Sequence, residues 1–250
     1  MHFFGTSAAN PSPKRGFSCI GVNDEDNLTL LDCGDGAVHN LISSNVDFSS
    51  IPEILITHYH SDHITGLTSI VETMGIEKRT RKLLVYGPPG LVEYFRTVEK
   101  ITRVAYGRKF ELEMFEIVAG SKVKTLGGLS VSAFEMDHTI PCLGYRLEKE
   151  GKVISYTGDT QPCASSVPIS KNSDLLIHEA TYLHKDVAKA RPPKHTTALE
   201  AAEIAGKANA SNLILTHVND NAETPEQMIE EASPIFRKTS IAYDGFELLL

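Results

Sequence analysis

The stretch ITHYHSDH, residues 56–63, places three histidines and one aspartate within six positions of a chain that has ten histidines in all. Histidine has no strong preference for helix or strand, so backbone propensity does not explain this density. In an extended segment alternate side chains point the same way, so His58 and His60 are predicted to face one metal ion. Asp62 and His63 follow as the chain turns, where they can reach a second ion beside the first.

The competing interpretation of this stretch is a solvated polar turn. In that interpretation Asp62 serves as the N-cap of a predicted helix over residues 62–74. A lone histidine would favour the polar turn. The pattern HxHxDH directly after the apolar run EILIT favours a metal site instead.

Size and composition describe an ordinary globular protein. The chain has 250 residues, is 41% hydrophobic and 22% charged, and is long enough to bury a core without disulfides. We expect one domain over residues 1–250, without a secretory signal and without a membrane span. The four cysteines form no CxxC pair, which predicts reduced thiols and a cytoplasmic location. The net charge of −8 disfavours a broad nonspecific nucleic-acid surface.

Short apolar runs alternate with fewer helical patterns along the chain. Helices are predicted at 62–74, 90–105, 196–208 and 224–236, the last two opening with a threonine suited to an N-cap. This order predicts two mixed sheets with outer helices rather than a doubly wound parallel sheet. The predicted strands are 18–22, 28–34, 53–58, 82–87, 129–136, 143–148, 152–159, 174–180, 212–217 and 240–250.

Polar residues close five of these apolar runs. Strand ends hold side chains rigidly while leaving them open to a cleft, which suits a preorganised site. The five residues are Asp32, His58, Asp159, Glu179 and His217.

The motif HxHxDH after such a strand resembles the signature of the metallo-β-lactamase superfamily. The segments FEMDHTIP, SYTGDT and LILTHVND supply His138, Asp159 and His217 in the order in which that family has its remaining ligands. Each would be an ordinary polar residue at a strand end if it stood alone. The resemblance implies an α+β fold, a four-layer αββα sandwich, with a metal site at one edge. It implies a first ion held by His58, His60 and His138, a second by Asp62, His63 and His217, and Asp159 bridging both.

Five imidazole nitrogens and two carboxylates suit zinc, so we expect two Zn²⁺ per chain, with Mn²⁺ or Fe²⁺ as alternatives. Two bridged ions activate a shared water for hydrolysis, and Asp62 can accept a hydrogen bond from that water. Asp32 has two candidate roles that the sequence leaves open. It either orients a histidine ligand or holds the tight CGDG turn.

Further segments resemble the ribonuclease Z branch of that superfamily, which matures the 3′ end of transfer RNA. They are FFGTSAANPSPKRGFSCI, LDCGDG, MDHTIPCLGYRLE, IHEATY and HTTALEAAEIA. We expect His195 to donate a proton to a leaving oxygen and Glu179 to hold that histidine, although a polar residue at a helix start is the alternative for His195. Lys14 and Arg15, in the loop PSPKRG, either contact phosphates or form a solvated basic turn.

The chain departs from that branch where ribonuclease Z enzymes usually carry a projecting arm that grips transfer RNA. Here GYRLEKEGKVISYTGD passes through a short turn around EKEG, and Gly16 replaces a usual asparagine. Without the arm, RNA loses salt-dependent backbone contacts, which makes a smaller phosphodiester more plausible. Three hypotheses follow: a ribonuclease Z-like phosphodiesterase acting on RNA 3′ ends or smaller phosphodiesters, a hydrolase of sulfate esters, thioesters or lactams, and a non-catalytic metal-binding module. Relatives of this branch often form homodimers, which is the expectation here.

Overall fold

The structure, a computed structural model, describes residues 1–24, 26–104, 107–220 and 224–250. The strands over those residues are β1 His2–Gly5, β2 Cys19–Asp24, β3 Asn27–Leu31, β4 Glu53–Leu55, β5 Leu83–Gly87, β6 Leu112–Glu116, β7 Lys122–Lys124, β8 Ser130–Met136, β9 Cys142–Lys149, β10 Lys152–Tyr156, β11 Leu175–Glu179, β12 Leu213–Thr216, β13 Thr239–Ile241 and β14 Phe246–Glu247. The helices are α1 Ala37–Ser43, α2 Ser61–Ile64, α3 Gly66–Ile76, α4 Leu91–Thr102, α5 Ser166–Ser170, α6 Val187–Ala190, α7 Ala198–Lys207 and α8 Pro225–Ala232.

Two mixed sheets are built on the same plan. Within the described residues the first has the order β14-β1-β2-β3-β4-β5-β6 and the second β13-β12-β11-β10-β9-β8-β7. Pairing is antiparallel from β14 to β3 and parallel from β3 to β6. In the second sheet it is parallel from β13 to β10 and antiparallel from β10 to β7. The prediction of two mixed sheets is confirmed.

Three apolar layers separate the sheets and helices. The middle layer lies between the two sheets and contains Leu55 and Tyr86 from the first and Tyr145 and Ile177 from the second. One outer layer joins β3, β4 and β5 to α1, α3 and α4. The other joins β11 and β12 to α7 and α8. This is the predicted four-layer αββα sandwich, in which alternate residues of the buried strands face opposite layers.

Some predicted elements differ from the observed ones. The helix predicted at 62–74 is interrupted at Thr65 and begins at Ser61 with His60 as its N-cap, so the alternative of Asp62 as N-cap is wrong. The strand predicted at 240–250 is two short strands in different sheets, because Gly245 turns the chain with a φ of 86°. Strands β1, β6 and β7 lie outside the strands predicted from the apolar runs. Ala105, the last residue of the predicted helix 90–105, lies outside the described residues.

Strands β9 and β10 are joined by only two residues, Glu150 and Gly151. Lys149 pairs with Lys152, and φ is 50° at Glu150 and 79° at Gly151. Positive φ at both central residues is the type I′ hairpin geometry that matches strand twist. The short turn predicted around EKEG is confirmed, so no projecting arm stands between these two strands.

Two helices begin with the threonines that the sequence suggested. Thr197 and Glu200 form a reciprocal capping box at α7, and Thr224 and Gln227 form one at α8. No helix among the described residues is long and apolar enough to cross a membrane.

Candidate dinuclear metal centre

The polar strand-end residues meet at one edge of the sandwich. Asp32 follows β3, His58 lies just beyond β4, Asp159 just beyond β10, and His217 follows β12. Because the carboxyl ends of parallel strands lie at the same edge of a sheet, these side chains converge from both sheets. Asp32 and His217 both have φ of 58°, a left-handed backbone that non-glycine residues adopt at a cost.

One set of converging ligands, which we call the outer group, consists of His58, His60 and His138. Nδ1 of His60 lies 3.1 Å from Nε2 of His58 and 3.1 Å from Nε2 of His138. Oδ2 of Asp159 lies 3.8 Å from His58 Nε2 and 3.9 Å from His138 Nε2. One atom from each of the four residues lies within 4.8 Å of all the others. His60 is the partly exposed member of the group.

The second set, the inner group, consists of Asp62, His63 and His217, all buried. Nε2 of His217 lies 3.3 Å from Asp62 Oδ2 and 3.4 Å from His63 Nε2. Asp159 reaches this group as well, with Oδ2 3.3 Å from His217 Nε2 and Oδ1 3.4 Å from His63 Nε2. The structure thus brings together all seven predicted ligands, with Asp159 between the two groups.

The chemistry of these donors fits divalent cations. His58 Nδ1 bonds to Thr57 Oγ1 at 2.9 Å, and His138 Nδ1 donates to the Lys194 carbonyl at 3.3 Å. With their Nδ1 protons so engaged, both rings turn Nε2 lone pairs toward the centre of the outer group. Oδ1 of Asp159 is buried without a hydrogen-bond partner in the described part of the chain. Converging lone pairs and an unpartnered carboxylate oxygen call for positive charge between them, which a divalent metal supplies.

Asp32 contacts a histidine of the inner group. Its Oδ2 accepts a hydrogen bond from His63 Nδ1 at 2.8 Å, which directs His63 Nε2 toward the other ligands. Thr57 donates to Asp32 through its backbone N–H at 2.7 Å and its hydroxyl at 2.9 Å, and the Tyr156 hydroxyl donates at 2.8 Å. All these partners lie outside the CGDG turn. Of the two roles left open for Asp32, the contacts favour orientation of a histidine.

Electrostatics differ between the two groups. Burial, and then the charge of His63, hold the pKa of His58 well below its usual value. Burial also lowers the pKa of His60 and of His138. For His63, burial opposes the charged form, but the carboxylates of Asp159 and Asp32 raise its pKa well above the usual value. The outer histidines are therefore neutral ligands at neutral pH, whereas His63 gives up a proton when it binds a cation.

A histidine–glutamate pair stands beside the ligands. Nδ1 of His195 donates to Glu179 Oε1 at 2.8 Å, and the His195 ring centroid lies 5.2 Å from that of His138 and 5.3 Å from that of His217. His195 therefore faces one member of each group. Burial alone would lower the pKa of His195, but the charge and hydrogen bond of Glu179 raise it to about 9. At neutral pH this imidazole carries a proton that it can donate.

Sequence reasoning missed a hydroxyl that links this pair to the inner group. His217 Nδ1 bonds to Thr181 Oγ1 at 2.9 Å, and Thr181 Oγ1 donates to Glu179 Oε2 at 3.0 Å. Glu179 also accepts from the backbone N–H groups of Thr160 and Thr196. The motif IHEATY, which contains Thr181, was the available signal. Buried Glu179 therefore holds His195 directly and orients His217 through Thr181.

The two basic loop residues are placed differently from one another. Arg15 is buried, with Nε 2.8 Å from Asp220 Oδ1 and Nη1 bonded to Thr6 Oγ1 and to the Ala242 carbonyl. The prediction that Arg15 contacts substrate phosphates does not fit this inward orientation, because its guanidinium ties the loop to the protein. Lys14 is exposed, and its contact with phosphate stays a prediction.

A cleft of about 270 Å³ opens over the two groups. Ala9 from the loop after β1 forms one part of its wall, and Pro193 forms another. Five of the predicted ligands and the paired histidine also line it, together with two hydroxyl residues: His60, Asp62, His138, Asp159, His217, His195, Ser61 and Thr139.

Comparison with known proteins agrees with this geometry. Residues 29–218 match the family model described as the Beta-lactamase superfamily domain, and the chain belongs to that superfamily. It is 30% identical to the ribonuclease Z of Gemmatimonas aurantiaca over 303 aligned positions, which cover 100% of this chain and 95% of that protein. Those aligned positions outnumber the 250 residues of the chain, so the relative carries insertions.

Two solved structures share the fold over nearly their whole length. The short form of human tRNase Z is 27% identical with a TM-score of 0.82, covering 98% of this chain and 96% of that one. The metallo-beta-lactamase fold protein YhfI from Bacillus subtilis is 24% identical with a TM-score of 0.86, again covering 98% and 96%. Within the superfamily the chain falls in the ribonuclease Z-like branch, and it is a metal-dependent hydrolase that uses divalent metal.

Proposed function

We propose that this protein hydrolyses phosphodiesters at a centre of two Zn²⁺ ions per chain, with Mn²⁺ or Fe²⁺ as alternative metals. The ribonuclease Z relatives support a phosphodiesterase. The observation that carries the proposal is the placement of His195. Its ring faces one ligand of each metal group and is held by a buried carboxylate, as a proton donor for a leaving oxygen requires.

Each group would hold one ion. His58, His60 and His138 supply three nitrogens to the outer position. Asp62, His63 and His217 supply the inner one, and Asp159 lies within reach of both. When bound, a pair of such ions lowers the pKa of a water and polarises a phosphoryl oxygen. The nitrogen-rich donor set supports zinc.

The chain's own residues complete the reaction around the phosphorus. Asp62 lines the cleft, where its carboxylate accepts a hydrogen bond from the attacking water and orients it. As the water oxygen bonds to phosphorus and gives up a proton to the solvent, the bond from phosphorus to the leaving oxygen breaks, and His195 regains a proton from solvent after each turnover. His195 gives its Nε2 proton to that oxygen, while Glu179 stabilises the charged imidazole and fixes its orientation through Nδ1.

The substrate is the 3′ end of a precursor transfer RNA or a smaller phosphodiester. Two features favour the smaller substrate. Glu150 and Gly151 join β9 and β10 directly, so backbone contacts that an arm would make with RNA have no counterpart at this turn. The net charge of −8 also weakens long-range attraction of a polyanion.

The test is turnover by the metal-loaded protein on bis(p-nitrophenyl) phosphate and on a precursor transfer RNA, with Zn²⁺ or Mn²⁺. We expect phosphodiester hydrolysis in the wild type, and a loss of about 10²–10⁴-fold in kcat for His195→Ala on the nucleic-acid substrate, where the leaving oxygen needs a proton. His39→Ala is the matched control, since His39 is exposed on α1 and lies outside the cleft.

The same assay separates the alternatives. Strong turnover of an aryl sulfate, a thioester or a lactam, with none on phosphodiesters, would overturn the proposal. Tight binding of metal without turnover on any of these substrates would point to a metal-binding module.

Three further expectations accompany this proposal. Residues 1–250 act as one domain, which is supported by the pairing of β1 with β14 and the bond from the Met1 amino group to Leu248 at the opposite end of the chain. The four unpaired cysteines support a cytoplasmic location. The protein forms a homodimer, which light scattering of the purified protein tests.

A further inference from the structure

A second and larger pocket adjoins the metal cleft. It has a volume of about 790 Å³, and its lining shares His138 and Thr139 with the cleft. Pockets of 300–1,000 Å³ are the size that takes a small molecule or a substrate fragment. We call it the side pocket and define it by Pro88, Ile117, Val118, Ile140, Pro141 and Lys194.

Apolar side chains that belong to both sheets line the side pocket. Pro88, Ile117 and Val118 follow β5 and β6 of the first sheet, and Ile140 and Pro141 belong to the loop from β8 to β9. Val118 is 56% exposed, and Ile140 is half-buried. Walls drawn from both sheets, with partly uncovered aliphatic groups, are suited to cover the faces of a flat ring.

Charged groups around the pocket argue against a second phosphate as its occupant. The carboxylates of Glu135 and Asp137 line it beside a single ammonium group, that of Lys194. Oδ1 of Asp137 already binds Lys194 Nζ at 2.8 Å, and its Oδ2 accepts from Gln161 Nε2 at 2.6 Å. With two carboxylates against one cation, the pocket favours an uncharged group that carries hydrogen-bonding edges.

We propose that the side pocket binds a nucleobase of the phosphodiester substrate, whose phosphate lies over the metal centre. The inference rests on the proposed phosphodiesterase function and adds the part of the substrate that the enzyme recognises. A base has two apolar faces for the aliphatic walls and a polar edge for Thr139, Glu135 or Ser165, which also line the pocket. Its sugar spans the boundary at His138 and Thr139, where the two spaces meet.

Recognition beside the scissile bond suits this chain. The turn at Glu150 and Gly151 offers no arm for distant RNA contacts, and the chain carries a net charge of −8. Affinity and selectivity must therefore come from groups next to the phosphate. The side pocket shares His138 and Thr139 with the cleft and provides that surface.

The experiment compares two chromogenic substrates with the same leaving group on the zinc-loaded protein. Thymidine 5′-(p-nitrophenyl phosphate) carries a base, and methyl p-nitrophenyl phosphate replaces the nucleoside with a methyl group. We expect kcat/KM at least about tenfold higher for the nucleoside ester, from burial of the base between apolar walls.

Two variants test whether the side pocket produces that preference. Ile140→Ala trims one wall, and Val118→Ala trims the other from a loop distant in sequence from the metal ligands. Each is expected to lower the nucleoside-to-methyl ratio of kcat/KM by about three- to tenfold. Ile101→Ala is the matched control, because Ile101 is 77% exposed on α4 and should leave the ratio unchanged.

The outcomes separate this inference from the proposed function. Hydrolysis of both esters without a preference for the nucleoside overturns the side-pocket assignment and leaves the phosphodiesterase standing. A preference that survives both variants also overturns the assignment. Hydrolysis of neither ester overturns the proposed function, and the inference with it.

Discussion

The outer and inner ligand groups share Asp159 but are held very differently. In the inner group, His63 is bound to Asp32, which in turn accepts from Thr57 and Tyr156, and every ligand is buried. In the outer group, His60 caps a helix and is partly exposed to the cleft. Both groups line the cleft, but the inner ligands are all buried, whereas the outer group includes the partly exposed His60.

Protonation reinforces this contrast. Burial keeps the pKa values of the outer histidines low, while Asp159 and Asp32 raise that of His63. The outer group can take a cation without releasing a proton, but the inner group must displace one. Metal binding to the inner group therefore weakens more steeply as the pH falls.

The substitution with the largest expected effect on activity removes Asp159, the residue that both groups share. Asp159→Ala deletes a carboxylate that belongs to both the outer and the inner group. We expect activity to fall by about 10³-fold or more, because charge stabilisation at both positions is lost together. Steady-state kinetics with metal analysis of the purified variant measures the loss. Retention of two metal equivalents with near-normal kcat would contradict a bridging role.

Two single substitutions, one in each group, compare how much the groups contribute to the free energy of unfolding. His63→Ala leaves the buried Asp32 carboxylate without a charged partner, which costs about 3 kcal/mol of unfolding free energy. His60→Ala removes a partly exposed side chain and should cost less than about 1 kcal/mol. Urea unfolding of both variants in the presence of a chelator compares them. Equal losses would show that the inner group is no more rigidly built than the outer.

The support beneath the inner group can be weakened without touching a ligand. Asp32→Asn keeps the size of the side chain but removes the charge that orients His63, so zinc affinity should drop about 10- to 100-fold. Tyr156→Phe removes only one donor to Asp32 and should have a smaller effect. Competition with a chromophoric chelator reports both affinities. An unchanged zinc affinity in Asp32→Asn would show that the charge of Asp32 is not needed to orient His63.

The smallest expected effect concerns His195, which faces both groups. The charge of Glu179 raises the pKa of His195 to about 9, so the imidazole stays protonated through neutral pH and loses its proton as the pH rises further. In Glu179→Gln that pKa falls. The alkaline limb of the kcat profile should therefore move to lower pH, with little change on a substrate that needs no proton at its leaving oxygen. An unshifted limb would mean that another group titrates.

Sequence motifs and the order of the apolar runs predicted much of this site and of the fold. The HxHxDH stretch predicted four ligands, and the motifs around His138, Asp159 and His217 predicted the remaining three at strand ends that the fold does bring together. The two mixed sheets followed from the order of the apolar runs.

Contacts between distant parts of the chain could not be predicted from local sequence patterns. Arg15 looked free for substrate because its partners, Asp220 and Ala242, lie more than two hundred residues away in sequence. Whether Asp32 holds the CGDG turn or orients His63 likewise depends on the tertiary structure. So did the link from Thr181 to Glu179 and His217.

The most direct test of the dinuclear account is a zinc titration of the metal-free protein that follows bound metal and phosphodiesterase activity together. We predict that two equivalents bind per chain and that activity reaches its maximum only as the second is taken up. Saturation at one equivalent with full activity would contradict it, as would maximal turnover that does not depend on added metal.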